Sequence, residues 1–407
     1  MLRLVVELEL ALLAVEVIRG PLVPDHPVRV VRVHGFLAHR IDRHRNTGHA
    51  TEGANEYEAF DNAAGPPRVY IPSPLSRLVA APMRVGVIGV GSMGQNHARV
   101  YSEVADLVGI ADPDVKAGGA VSNRFNVSYY TDAAHLLKED LDAVSVCVPT
   151  EHHAKVALAA IEAGVSLLVE KPLAATVPDA SRVVDAAKRA GVTLAVGHIE
   201  RHNPAIAVVK RHLQEGQYGD LVTATARRVS SFPGRVRDIG VVMDLGVHEI
   251  DILRYLVGSP VESVFALGGR KIHSAFEDHA NILLRFQNGV HGFVEVNWLT
   301  PMKVRQLALT CLKNFVEVDY TEQSVTVSSS TLGPLDPFNL YQIPLEHHTQ
   351  KLHVRKEEPL KKELEDFLDA VKEKRPPLVP GEDALETLKV AVAATDSHRT
   401  GKLVQLR

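Results

Sequence analysis

The stretch Met83–Gly94, MRVGVIGVGSMG, decides the reading of this chain. A short apolar run, Val85–Ile88, enters a turn in which Gly89, Gly91 and Gly94 fall in the spacing G-x-G-x-x-G, with Ser92 and Met93 inside it. In a strand–turn–helix unit the first glycine permits a tight turn. The second lets the backbone approach a pyrophosphate, and the third lets the helix pack closely on the strand. Gln95–Tyr101 is the helix-like segment the motif requires, and its N-terminus offers free N–H groups and a favourable dipole to an anion. Asp112 ends the next strand candidate, Leu107–Ala111, eighteen residues beyond Gly94. An acid at that place hydrogen-bonds the adenosine ribose 2′-OH. It would repel a 2′-phosphate, and the first basic residue after it is Lys116, so NAD is expected rather than NADP.

Outward from this loop, strand-like and helix-like segments alternate. Thr131–Leu137 reads as a helix with a threonine cap, Ala143–Val148 as a buried strand, and His152–Ala163 as a helix stopped by Gly164. Val165–Val169 is another strand. Val177–Ala190 is a helix with Pro178 in its first turn and Gly191 after its end, and Thr193–Val196 is a further strand. Such alternation implies right-handed crossovers and a parallel sheet. The second half differs. Leu221–Val229, Val261–Leu267, Ala280–Phe286, His291–Trp298, Val304–Cys311 and Asn314–Asp319 all read as strands, with Gln287-Asn288-Gly289 as a hairpin turn. Consecutive strands predict an open, mainly antiparallel sheet. The helix Met243–Leu256 precedes most of them, and two helices, near Pro359–Lys374 and Glu382–His398, close the chain.

Three segments carry candidate chemistry. PTEHH (Pro149–His153) follows a strand at the carboxyl edge, where ligands bind in such sheets. Thr150 can cap the next helix, and His153 either points to the cleft or is a surface helix residue. EKP (Glu170-Lys171-Pro172) follows the next strand, and Pro172 restricts Lys171 to an extended backbone. That lysine either stabilises a substrate alkoxide or is a solvated loop charge. In MDLGVHEIDILRYL (Met243–Leu256), Asp244, His248 and Asp251 share one face of a helix. An Asp at i and a His at i+4 make an orienting carboxylate and an acid/base that titrates near neutrality. His248-Glu249 also begins an H-E-x-x pattern, but Ile252 stands where the second zinc-binding histidine would be, so no metal is expected.

Composition sets outer limits. The length of 407 residues suits two domains, or one large domain with an appendage, and 45% apolar and 23% charged residues are those of a globular protein. A net charge of −4 argues against a general nucleic-acid binder. Two cysteines, Cys147 and Cys311, exclude a disulfide framework and a Cys-rich zinc site. At the N-terminus, Glu7, Glu9 and Glu16 break the apolar stretch, and its longest uncharged apolar run, Leu10 to Val15, is six residues. An export signal needs roughly 7–15 and a membrane span about 20. A cytoplasmic protein that does not engage membranes is therefore expected. Residues 1–82 contain no lysine, nine arginines and eight prolines, with no sustained period. They read as a disordered or non-native extension, and a chain started at Met83 is expected to keep full activity and stability.

With these segments assembled, the chain resembles the glucose–fructose oxidoreductase / inositol dehydrogenase / rhizopine-catabolism (Gfo/Idh/MocA) family. The resemblance rests on GVIGVGSMGQNHARVY, VCVPTEHHAKVALAAIEAGVSLLVEKPLA, GHIERHNPA, MDLGVHEIDILRYL and the tail from ELEDFLDAVKEKRPPLVPG onward, in that order. It implies an α/β fold: an N-terminal Rossmann domain, 83–203, and a C-terminal α/β domain, 204–407, with the open sheet. That sheet would carry substrate and homo-oligomer contacts, as a dimer or tetramer, and the last helices would pack back on the first domain. The resemblance implies NAD(P)-dependent oxidation of a sugar or polyol. Lys171 and His248 would hold the reacting hydroxyl, with Asp244 one turn before the histidine. Pro149, His153 and Glu170 would fall near the cofactor, and Arg201 and Asn203 near the cleft, although His202 stands where Phe is frequent. Three stretches, GHIERHNPA, VRDIGVVMDLGVHEIDILRYL and VEVNWLTPMKVRQL, look most like family members that oxidise the C3 hydroxyl of UDP-N-acetylglucosamine. Arg235 and Arg237 could face a diphosphate or be solvated, and Trp298 could line the sugar pocket or pack in the sheet. A free polyol or inositol dehydrogenase, a redox-neutral NAD-dependent glycosidase, and a non-enzymatic cofactor-binding regulator are the alternatives.

Overall fold

Residues 81–234, 239–333 and 345–406 are described in the structure, a computed structural model. The expected extension, apart from its last two residues, and both Arg235 and Arg237 lie outside the described residues.

The glycine loop opens a six-stranded sheet. Its strands are β1 (Arg84–Ile88), β2 (Asp106–Ala111), β3 (Ser128–Tyr130), β4 (Ala143–Val146), β5 (Ser166–Glu170) and β6 (Leu194–Gly197). They run parallel in the order β3-β2-β1-β4-β5-β6, the doubly wound arrangement of a dinucleotide-binding domain. The register pairs Ile88 with both Ala111 and Val146, and Val146 with Val169. The carboxyl ends of β1, β4 and β5 therefore stand side by side, and the segments Gly89–Gly94, Pro149–His153 and Lys171–Pro172 leave from one edge. Val85, Val87, Val144, Val146, Leu167, Leu168 and Val169 are fully buried, because helices cover both faces of a parallel sheet.

Those helices are α1 (Ser92–Val104), α2 (Val115–Phe125), α3 (Ala133–Leu136), α4 (His153–Glu162) and α5 (Val177–Ala190). The α5 limits match the sequence expectation, with Thr176 capping and Gly191 in the left-handed region at φ 69°. Two caps differ from it. Asp132, not Thr131, caps α3 by accepting from the Ala134 N–H. Thr150 opens a 3₁₀ turn, Thr150–His152, that has no side-chain cap. Helix α2 goes beyond the expectation, because Gly118 and Gly119 weaken its pattern. Its Gly118 packs under the Tyr129 ring, where a Cβ would come within 2.1 Å.

The second half forms one sheet in the order β14-β13-β12-β11-β7-β10-β9-β8-β15 among the described residues. The strands are β7 (Leu221–Ser231), β8 (Val261–Gly269), β9 (His279–Phe286), β10 (His291–Asn297), β11 (Leu299–Cys311), β12 (Phe315–Asp319), β13 (Ser324–Leu332), β14 (Leu345–Leu352) and β15 (Val404–Gln405). Only the β7–β10 pair is parallel, so the sheet is mainly antiparallel as expected. Gly289, at φ 87°, makes the turn between β9 and β10. One sheet face, with Ala280, Ile282, Leu284, Val294 and Val296, is buried beneath α6 (Pro204–Gln214) and α7 (Val247–Val257). β14 has no counterpart in the sequence pattern, because its residues are nearly all exposed and show no alternation.

The closing helices join the halves. Leu360, Leu364 and Phe367 of α8 (Pro359–Glu373) pack into the core of the first domain. Helix α9 (Gly381–Thr400) gives Ala384 and Leu388 to that domain and Val390, Ala391 and Ala394 to the second. No described helix is long and apolar enough to cross a membrane.

A buried ion pair reinforces the junction. Arg201, after β6, grips Asp251 of α7 through Nε–H and Nη2–H at 2.7 and 2.6 Å, and Thr387 of α9 donates to the same carboxylate at 3.0 Å. Burial alone would raise the Asp251 pKa, but the Arg201 guanidinium outweighs it and holds the acid at about 2. Removing one partner leaves an uncompensated buried charge, which costs roughly 3–5 kcal/mol. Asp251→Asn should lower unfolding stability by about that amount at pH 7. Because the folded-state pKa is depressed, the pair's contribution is present above pH 4 and is lost as pH falls toward 2. Chemical denaturation of both proteins across that range should show the wild-type advantage shrinking.

Candidate active site

The turn after β1 is built for close approach. Gly89, at φ 88°, has no room for a Cβ against the Cys147 carbonyl, and a Cβ on Gly94 would lie 1.8 Å from the Gly89 oxygen. Gly91 faces open space, and a Cβ there would meet nothing within 4 Å. It caps α1 without a side-chain hydrogen bond, and no acid sits in the first turn. Ser92 and Met93 are exposed beside it. The result is an open backbone cradle with free N–H groups, which fits a dinucleotide pyrophosphate. Asp112 accepts from the Val90 N–H at 2.7 Å and from the Asp114 N–H at 2.8 Å. The carboxylate is thus fixed against the glycine loop at the end of β2, where the ribose hydroxyls of NAD would lie.

The lysine loop is pinned from below. His153 is buried, and its Nδ1 and Nε2 lie 2.7 Å from the Pro172 oxygen and 2.9 Å from the Val148 oxygen. It ties the ends of β4 and β5 together, being neither a surface residue nor a free group in the cleft. Burial holds its pKa below the ordinary value, so the neutral ring donates to one carbonyl at a time. Pro149, beside it, is exposed at the strand edge. Glu170 also turns inward. One oxygen accepts from His97 Nε2–H at 3.0 Å and the other from the Lys171 N–H at 3.1 Å. Ser145 joins His97 to Tyr101 through contacts of 3.0 and 2.8 Å. Burial would raise the Glu170 pKa, but His97 and Lys171 bring it below the ordinary range. Glu363 of α8 completes a buried group with His97 and Glu170, in which one nitrogen or oxygen atom of each lies within 4.8 Å of the others. Burial, and then the charge of Glu170, push the Glu363 pKa well above the ordinary carboxylate range.

Lys171 crosses to the second domain. Its Nζ donates to the Asp244 backbone oxygen at 2.8 Å and to Asp244 Oδ1 at 3.1 Å. Asp244 lies in a π-helical turn, Val242–Gly246, that precedes α7. Glu277 holds the start of this turn: its carbonyl accepts from the Val241 N–H at 3.0 Å and its Oε1 from the Val242 N–H at 3.1 Å. Such wide turns concentrate at functional sites. This one changes the expected dyad, because the extra residue takes Asp244 out of i, i+4 register with His248. The carboxylate meets Lys171, and His248 Nδ1 is buried with no hydrogen-bond partner among the described residues. Burial, then the charges of Lys171 and Arg228, push His248 well below its ordinary value. A neutral imidazole with an orphan nitrogen thus stands near a lysine ammonium. Asp251, expected on the same face, faces Arg201 instead.

Several expected cleft residues are committed to the fold. Arg201 is occupied by Asp251 and Asp383. Asn203 caps α6 through the Ala205 N–H and donates to Glu200 and to the Tyr320 oxygen. Trp298 is 1% exposed and packs edge-on against Phe232 at 5.7 Å. None of the three is an open substrate contact. Arg237 lies outside the described residues. Unanticipated at the site are Arg228 and Arg305, on β7 and β11. Arg228 pairs with Glu249, and with Glu200 at 2.7 Å, while Arg305 reaches Glu200 at 3.4 Å. Strand parity could have found both, since buried Ala224 and Ala226, and Leu307 and Leu309, mark the same inward face.

Three family models match consecutive parts of the chain. They are described as "Oxidoreductase family, NAD-binding Rossmann fold" over residues 83–198, "GFO/IDH/MocA C-terminal domain" over 206–325, and "Oxidoreductase family, C-terminal alpha/beta domain" over 341–406. UDP-N-acetylglucosamine 3-dehydrogenase of Acidithiobacillus ferrooxidans is 29% identical over 310 residues, covering 76% of this chain and 95% of that protein. Its solved structure matches with a TM-score of 0.71 at 28% identity, over 78% of this chain and 98% of that one. The scyllo-inositol 2-dehydrogenase (NAD(+)) of Bacillus subtilis is 28% identical, covering 80% of this chain and 96% of that protein.

If His248 is the acid/base, His248→Ala should lower kcat by about 10²–10⁴ while leaving NAD affinity unchanged. With the histidine pKa depressed, the ring stays neutral to a lower pH than a free imidazole would. The acid limb of kcat/KM should therefore begin well below pH 6.5. A wild-type limb at or above that value would contradict the role.

Proposed function

Since the chain belongs to the Gfo/Idh/MocA oxidoreductase family and carries its NAD-binding Rossmann domain, we propose that it oxidises a secondary hydroxyl of a nucleotide sugar, the C3 hydroxyl of UDP-N-acetylglucosamine. The observation that carries this reading is the convergence of Lys171, Asp244 and His248 at the carboxyl edge of the parallel sheet. Gly89, Gly91, Gly94 and Asp112 would hold NAD, which would supply the hydride acceptor. The His248 ring, held below its ordinary pKa, takes the hydroxyl proton. The Lys171 ammonium, aimed by Asp244, stabilises the developing alkoxide. Asp112 selects the free ribose 2′-OH.

The relative from Acidithiobacillus supports the nucleotide-sugar substrate, with matching coverage of both chains. The Bacillus relative supports an inositol at nearly the same identity. We place the enzyme in the cytoplasm, where the unpaired Cys147 and Cys311 suit a reducing compartment. We further assign the outer face of the second sheet to contact with another copy. Leu267 and Leu283 on that face are 59% and 51% exposed, and light scattering should give a dimer or tetramer mass.

An NAD-reduction assay over UDP-N-acetylglucosamine, free N-acetylglucosamine and myo- and scyllo-inositol tests the substrate. Net NADH should form with the UDP-sugar, with kcat/KM at least about 10²-fold above the free sugars, a gap of roughly 2.7 kcal/mol. Turnover of inositol with none of the UDP-sugar would replace this reading, and glycoside cleavage without net NADH would replace the dehydrogenase chemistry.

A further inference from the structure

We propose that Lys303 and Arg305 form an anion subsite beside His248 that takes the phosphates of the substrate, an inference that rests on the nucleotide-sugar reading above. Both residues lie in the first half of β11, and Arg305 reaches Glu200 in the turn that follows β6. Leu307 and Leu309 continue the same alternation into the core, so Arg305 belongs to the inward face but sits where the apolar cover stops, with a side chain 32% exposed. The register places Arg305 directly opposite Arg228 on β7. Like charges in cross-strand positions repel. The register then breaks: Leu299 pairs with Ser231 and Val304 with Val229. Residues 300–303 thus face Ser230 alone, and the resulting bulge carries Lys303. Bulges of this kind re-aim side chains next to active sites.

The carboxylates nearby are shared or engaged elsewhere, and among them only Glu200 reaches one of these two cations. Asp244 is engaged by Lys171. Glu249 is engaged by Arg228 and Tyr320. Glu200 is held by Arg228 at 2.7 Å and reaches Arg305 only at 3.4 Å. Lys303 has no ion-pair partner among the described residues, and it is exposed. The surplus is felt locally. Arg305, and then burial, push the Lys303 pKa down, and burial followed by Arg228 lowers that of Arg305. Arg228, opposite Arg305, pairs with Glu249, the residue next to His248 in α7, which sets the cluster beside that histidine. An anion docked here would relieve the repulsion, and a phosphate suits a guanidinium next to an ammonium.

Calorimetric titration of the NADH-bound enzyme with UDP, inorganic pyrophosphate and uridine tests this. UDP and pyrophosphate should bind the wild type, and uridine should bind far more weakly. Lys303→Met and Arg305→Gln should each weaken UDP by about 10–100-fold, the loss expected for a charge-assisted contact, with NADH affinity unchanged. Because Arg305 also touches Glu200, Lys303→Met is the cleaner variant. UDP and pyrophosphate failing to bind the wild type, or binding Lys303→Met as well as the wild type, would overturn the subsite. A matching loss of NADH affinity would assign the cations to the cofactor and overturn it too. The two claims separate. UDP binding that needs Lys303 without any UDP-sugar turnover keeps the subsite and refutes the reading, whereas turnover with Lys303-independent UDP binding does the reverse.

Discussion

The contact on which the site depends is Lys171 Nζ against Asp244, because it joins the parallel sheet to the helix that carries His248. The lysine leaves β5 of one domain, and the aspartate sits in the π-helical turn of the other. Two hydrogen bonds, to the carbonyl and to the carboxylate, fix the ammonium in direction as well as position. The same charge lowers the proton affinity of His248. One contact therefore aims the lysine and helps keep the histidine in its basic form at neutral pH.

That contact would be soft without its supports. His153 holds the Pro172 carbonyl, Glu170 holds the Lys171 N–H, and Glu277 holds the first N–H groups of the π-helical turn. Each support is itself buried, and a buried polar group must be answered by a partner or lose its charge. His97 holds the Glu170 pKa below the ordinary range, while burial pushes that of Glu363 beside it well above. Arg201–Asp251 and the Arg228–Glu249–Glu200 network do the same work for α7. Much of the polar inventory of these motifs thus serves to place a few groups at an edge, and the open cradle at Gly91 and the partly exposed cations on β11 remain for ligands.

The parallel sheet was legible because its signals are local: the spacing of Gly89, Gly91 and Gly94, the short apolar runs, and the Thr176 and Gly191 stops of α5. Lys171, Asp244 and His248 were legible as residue types at strand and helix starts. Their mutual arrangement was not, because a π-helical turn leaves no mark in a hydrophobic period, and an i, i+4 spacing implies an i, i+4 contact only in a regular α-helix. Arg201 and Asn203 lie in a motif beside the cleft, yet their donors turn inward to Asp251 and Glu200, partners 50 residues away and 3 residues away. A one-dimensional pattern carries the second distance and cannot carry the first. β14 was illegible for a different reason: a strand at a sheet edge with both faces wet has no alternation to display.

The central claim is that Lys171 acts on the reacting hydroxyl and not merely on the fold. Single-turnover NADH formation, with the substrate carrying hydrogen or deuterium at the oxidised carbon, tests it in Lys171→Met. The account predicts a hydride-transfer rate lower by about 10²–10³, the usual loss for one electrostatic stabiliser of a developing charge. It also predicts a full primary isotope effect and an NAD dissociation constant within about twofold of wild type, a difference below ~0.5 kcal/mol. An unchanged single-turnover rate, or a loss explained wholly by weaker NAD binding, would contradict it.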